Sequence, residues 1–172
     1  MKFQENTILV GLILVIVFFL FSCAPSQTSY NQPVVQPPQS QIDPQNVSAQ
    51  IRQEKDSYSK EYLLEAVDVV GKCDKFLNTP KYQMYTVAAE AKTAFQKLKI
   101  NYPQYSNSNM NQYLSQIVTN ISTICDNSKY IAIEDSKSRS QKNYDGMISK
   151  TKEINLLIPD IELLISGING GL

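Results

Sequence analysis

Residues 108–132, SNMNQYLSQIVTNISTICDNSKYIA, decide the fold. Met110, Leu114, Ile117, Ile121, Ile124 and Ser128 recur at alternating steps of four and three. That spacing stacks side chains on one face of an α-helix. Strand-type alternation is absent from the segment. Asn107 or Ser108 can cap its start, because a short polar side chain there accepts from the first free backbone N–H groups. The spacing predicts a helix over about Ser108 to Ala132.

The same pattern extends in both directions. Tyr62, Ala66, Val69, Cys73 and Phe76 predict a helix from about Ser48 to Leu77, with Leu63, Val67 and Val70 widening its apolar stripe. Asn78-Thr79-Pro80 interrupts it. Thr79 suits a cap and Pro80 a first helical turn. Met84, Ala88, Ala91, Phe95 and Leu98 then predict a helix from Pro80 to Ile100, ended by Asn101-Tyr102-Pro103. A fourth helix is expected from about Ser138 into the tail, along Met147, Thr151, Ile154, Ile158, Ile161, Ile165 and Ile168. Pro159 lies within it and costs about 3 kcal/mol in a helix interior, which predicts a kink or break at Ile158. Gly167, Gly170 and Gly171 are expected to end it. Glu134-Asp135 reads as the opening of a polar link. Together these segments predict an all-α protein, an antiparallel bundle of about four helices over residues 47–172.

Composition narrows the chemistry. The 172 residues contain no histidine and no tryptophan, and the formal net charge is zero. Without histidine, Ser-His-Asp and Cys-His triads cannot be assembled, and the commonest metal ligand is missing. Neutral charge argues against a nucleic-acid face. The apolar stripes offer almost no inward polar side chains, so neither cofactor nor metal is expected. Glu61, Glu65 and Asp68 lie near one another, but Lys60 and Lys72 share their strip, as on a solvated ion-paired face. Tyr102, Tyr105 and Tyr113 bracket a Ser/Asn-rich loop, residues 106–111, either as a binding surface or packed on the bundle end.

Cys73 and Cys125 fall at similar heights in an up-down-up-down bundle. One reading bridges them, closing a loop of roughly 50 residues for about 3–4 kcal/mol. The other leaves two buried thiols acting as small apolar groups. Helices one and three stand diagonally in a square bundle, which is too far apart for a bridge unless the bundle is flattened.

The N-terminus carries the sharpest functional signal. Met1 to Thr7 is polar with Lys2 as its one cation, Ile8 to Phe21 is apolar but for Gly11, and Leu20-Phe21-Ser22-Cys23 closes the run. This arrangement resembles the signal peptide and lipobox of bacterial lipoproteins, although Phe21 is bulkier than usual at its position and Glu5 weakens the positive n-region. The resemblance covers residues 1–23. It implies removal of residues 1–22, lipid attachment (palmitate) at Cys23, and, with Ala24 next, sorting to an outer membrane facing the periplasm. Export to the cell surface and an uncleaved single-pass anchor remain open as alternatives. A span needs at least about 17 residues, which Ile8 to Ala24 just reaches. Residues 23–46 hold Pro25, Pro33, Pro37, Pro38 and Pro44 among glutamines and serines, a composition expected to form a disordered tether. The expected function is a non-catalytic adaptor or assembly module of the cell envelope. Its expected partners are a membrane through the N-terminal lipid and a protein, with no nucleic acid. Binding of host or phage components at the cell surface is the alternative.

Overall fold

The computed structural model describes residues 41–172. Five α-helices account for most of them: α1 (Pro44–Glu54), α2 (Lys60–Leu77), α3 (Met84–Asn101), α4 (Asn109–Ser136) and α5 (Tyr144–Gly171). Short 3-10 turns cover Lys55–Ser57, Pro103–Tyr105 and Arg139–Gln141. The described residues form no strand. The all-α bundle expected from the spacing is therefore what the chain forms.

Several element boundaries differ from the expectation, each for a local reason. The first predicted helix is two. Asp43 caps α1 by accepting from Gln45 N at 2.9 Å, with Pro44 at the first position, so helix begins before Ser48. Ser59 then adopts an extended conformation and its hydroxyl accepts from Tyr62 N, starting α2 afresh. Thr79 ends α2 and does not cap α3: its hydroxyl donates back to Lys75 O at 2.6 Å. Residues 80–83 are turn, and α3 begins at Met84.

Glu134 and Asp135 lie in the last turn of α4, not in a link. α5 begins at Tyr144, where Asn143 Oδ1 accepts from Gly146 N at 2.9 Å. It runs through Pro159 without a break. Pro159 is exposed and so is Asn155, whose carbonyl loses its helical donor, so water can satisfy that group.

Hydrogen bonds and packing fix the directions. Tyr62 near the start of α2 meets Asn111 near the start of α4, and Tyr102 at the end of α3 meets Tyr62. These ends share one pole. α2 and α4 run away from it, while α3 and α5 run toward it. The buried core includes Val47 and Ile51 from α1, Tyr62, Ala66, Val69, Cys73 and Phe76 from α2, Met84, Val87, Ala91, Phe95 and Leu98 from α3, Met110, Leu114, Ile117, Ile121 and Ile124 from α4, and Ile161, Leu164, Ile165 and Ile168 from α5. Val87 takes the place expected of Ala88, which is only partly buried.

The C-terminal glycines do not end α5 early. Gly167 and Gly170 lie inside it, and with Gly171 they form the surface that α1 lies against. A Cβ on Gly167 would stand 2.6 Å from Val47 Cβ and 2.9 Å from Pro44 O; one on Gly171 would stand 2.5 Å from Ile51 Cβ. The paired residues ascend together, so α1 runs parallel to α5. Arg52 closes the contact, donating from its guanidinium to Gly170 O at 2.7 and 3.1 Å. That carbonyl belongs to the unsatisfied last turn of α5, where a cation also suits the helix dipole.

Gly167→Ala should therefore destabilise the protein by about 1–3 kcal/mol despite the better helix propensity of alanine. At Gly71 an added Cβ meets nothing within 4 Å. Gly71→Ala should instead stabilise by about 0.5–1 kcal/mol. Urea unfolding of the two variants beside wild type checks the opposite signs.

Candidate functional site

α4 and α5 each have 28 residues, whereas α2 and α3 have 18. At 1.5 Å per residue the longer hairpin outreaches the shorter by roughly 15 Å. All the excess lies away from the tyrosine pole, because α2 and α4 both start there. The result is a two-helix arm. Burial follows this geometry closely. No residue of α5 before Ile161 is buried, and beyond Asn127 α4 buries only Glu134. Met147, Thr151, Ile154 and Ile158 continue the apolar stripe of α5, yet none of them is fully buried.

Where the arm leaves the bundle, Phe76, Leu77, Met84, Ile124, Ile154 and Ile158 line a cleft of about 170 Å³. On the α3 side, Tyr85, Lys129, Ala132, Ile133 and Ser136 line a shallow groove of about 500 Å³. Exposed apolar side chains continue along the arm at Ile133, Tyr144 and Ile148. The arm is held together by polar contacts. Glu134 takes Lys137 Nζ at 2.5 Å and Asn143 N at 3.0 Å. Asp135 pairs with Lys142 at 2.7 Å, and Glu153 with Lys150 at 2.9 Å. Hydrogen bonds from these lysines hold all three carboxyls below their ordinary values.

The opposite pole is a locked cluster. Tyr62 is fully buried and stacks within 4.4–5.5 Å of the Tyr58, Tyr102 and Tyr105 rings. Its hydroxyl donates to Asn111 Oδ1 at 3.1 Å, and burial pushes the phenol up to about 12. Asn111 Nδ2 donates to Tyr105 O, and Tyr105 Oη accepts from Ser59 N, both at 2.9 Å. Glu54 accepts from Tyr58 Oη and from both Asn109 N and Asn109 Nδ2, so the end of α1 caps the start of α4. Tyr113 donates to Gln50 Oε1 at 2.7 Å, tying α4 to α1. Tyr102, Tyr105 and Tyr113 thus pack on the bundle end, the second of the two sequence readings. Tyr58, Tyr62 and Glu54 complete a cluster that sequence spacing did not single out.

The remaining predicted residues are dispersed. Glu65 and Asp68 line an open groove of about 570 Å³ between α2 and α3, but Glu61 does not. Asp68 pairs with Lys72, and Glu65 accepts from Asn101 Nδ2 and Tyr102 Oη at 3.3–3.4 Å. Of the ion-paired strip expected from the charge pattern, Asp68–Lys72 is the ion pair that forms among the described residues. Among the described residues no group of three or more Cys, Asp or Glu side chains converges as a metal site would require. Cys73 and Cys125 are free and buried. The bridge between them is not formed, which leaves the buried-thiol reading of the pair. Burial alone pushes the Cys73 thiol up to about 12, so it is a poor nucleophile. Cys23 and the tether up to Ser40 lie outside the described residues. No helix among the described residues is long and apolar enough to cross a membrane.

Comparisons with protein-family models, curated proteins and solved structures find no match.

Two outcomes follow from this geometry. Tyr62→Phe should cost about 1–3 kcal/mol in thermal or urea unfolding, because it leaves the buried Asn111 oxygen short of a donor. Tyr113→Phe should cost less, since Gln50 can turn to water. In the arm, the folded carboxyl pKa values lie below the ordinary ones. The stabilisation is therefore complete above the ordinary values and disappears as pH falls through the lowered ones. The Asn143 amide NMR signal should keep its Glu134-bound position through the ordinary glutamate range and lose it only at lower pH, while Leu114 in the core stays unchanged.

Proposed function

We propose that this chain is a lipid-anchored envelope protein whose helical domain acts without catalysis, as an adaptor or assembly module. The observation that carries the proposal is Leu20-Phe21-Ser22-Cys23 at the end of an apolar run, followed at once by a proline- and glutamine-rich stretch. Cys23 would hold the lipid, residues 24–40 would act as a spacer, and the bundle would stand off an outer membrane on its periplasmic side.

The structure supports the interaction role through the arm. A helical hairpin that projects from its bundle and leaves Ile133, Tyr144 and Ile148 exposed has apolar surface available to a partner. The non-catalytic reading draws support from the state of the reactive groups. Both thiols are buried, and Asp68 and Glu65 are engaged in surface pairs.

Metabolic labelling with a palmitate analogue in a bacterial host should mark the wild-type chain, and electrophoresis should show loss of residues 1–22. Cys23→Ala should abolish both label and cleavage. A wild-type chain that stays unlabelled and uncut, yet remains with membranes, would identify residues 8–24 as a transmembrane anchor instead.

A further inference from the structure

We infer that the end of the arm is a contact face for an anionic bilayer surface, so that the domain rests on the same membrane that anchors it. The inference depends on the membrane-anchored reading above and adds the orientation of the domain.

Three observations converge. The first is direction. α1 runs parallel to α5, so its start at Pro44 points toward the arm and its end toward the tyrosine pole. The start of α1 therefore faces the arm from a point beside Gly167. The second is length. Pro44 O lies beside Gly167, and Tyr144 is 23 residues earlier on α5, so the arm reaches roughly 35 Å beyond the start of α1. From Cys23 to Gln41 there are about 18 residues, a length that would cover roughly 23 Å as a coil and about 56 Å in polyproline II geometry. A lipid at Cys23 thus allows the arm end to touch the bilayer without full extension of the spacer.

The third is chemistry. Beyond the cleft residues Ser128 and Ile154, the arm carries six cations and four carboxylates. Glu134, Asp135 and Glu153 are already paired with arm lysines. No ion pair among the described residues involves Lys129, Arg139 or Lys152. The turn from Ser136 to Asn143 contains Lys137, Arg139 and Lys142 and no carboxylate. Beside these cations stand Tyr144 and Ile148, 50% and 54% exposed, and Ile133, 50% exposed. Exposed tyrosine and isoleucine among lysine and arginine suit an interface where apolar groups enter the headgroup region and cations meet lipid phosphates. A second copy is the less favourable occupant, because it would bring like-charged turns together.

The absence of tryptophan makes a direct test available. The full chain, carrying Tyr144→Trp or Ile148→Trp, is reconstituted in vesicles of phosphatidylglycerol and phosphatidylethanolamine with brominated acyl chains. Leu64→Trp and Ile100→Trp are the controls, both on exposed sites away from the arm. The inference expects blue-shifted emission and loss of most of it to bromine quenching at 144 and 148. It expects none at 64 or 100, and recovery of the arm emission when Lys129, Arg139 and Lys152 are all changed to Glu. Flotation with the vesicles but unquenched emission at both arm sites overturns the inference and leaves the anchor standing. A blue shift that grows with protein concentration without quenching assigns the surface to a second copy. A chain that fails to float refutes the anchored reading and the inference together.

Discussion

Two helices of 28 residues pack against two of 18 with their ends aligned at one pole, and the remaining length has to project. The rest of the architecture depends on that mismatch. It divides one continuous hairpin into a half buried by α1, α2 and α3 and a half in which α4 buries only Glu134 and α5 buries no residue. Side chains of the same type on the same helical face consequently have different fates. Ile161 and Ile168 are fully buried, whereas Ile154 and Ile158 are partly open and Ile148 is exposed.

The aligned pole is held by unlike means on its two sides. Between α1 and α5 the contact is steric: glycines at 167, 170 and 171 remove side chains so that Val47, Ser48 and Ile51 can sit against the helix backbone. Between α1, α2, α3 and α4 it is polar and aromatic, with Tyr62 at the centre and Glu54 capping α4. The arm has neither device. It relies on three lysine–carboxylate pairs, of which Asp135–Lys142 spans its turn, and on the Asn143 N–H held by buried Glu134, and the exposed pairs contribute little each.

The helices were legible in the sequence because a period near 3.6 survives in their core-facing segments, and the central stripes of α2, α3 and α4 are core as read except at Ala88. Periodicity reports which side of a helix is apolar, not whether another helix faces it, so the arm was invisible in Met147 to Ile158. Boundaries failed where a side chain had two backbone partners to choose from. Thr79 turns back to Lys75 O, and Ser59 opens a new helix inside a stripe that looked continuous. The terminal glycines were read as a stop signal by composition, but helix approach explains them, and only Val47 and Ile51 on a distant segment reveal that. Tyr102, Tyr105 and Tyr113 could be read either way until Tyr62 and Asn111 were seen to hold them. The thiols at 73 and 125 matched in height, yet matched height does not bring sulfur atoms together.

The central claim is that the domain has two zones, a locked pole and a hairpin arm supported by two helices only. Native-state hydrogen exchange measures this directly. The account predicts that amides of α4 and α5 over residues 129–153 exchange through openings well below the global unfolding free energy, while those around Tyr62, Leu114 and Ile168 exchange only on global unfolding. Equal protection along the whole of α4 and α5 would contradict it.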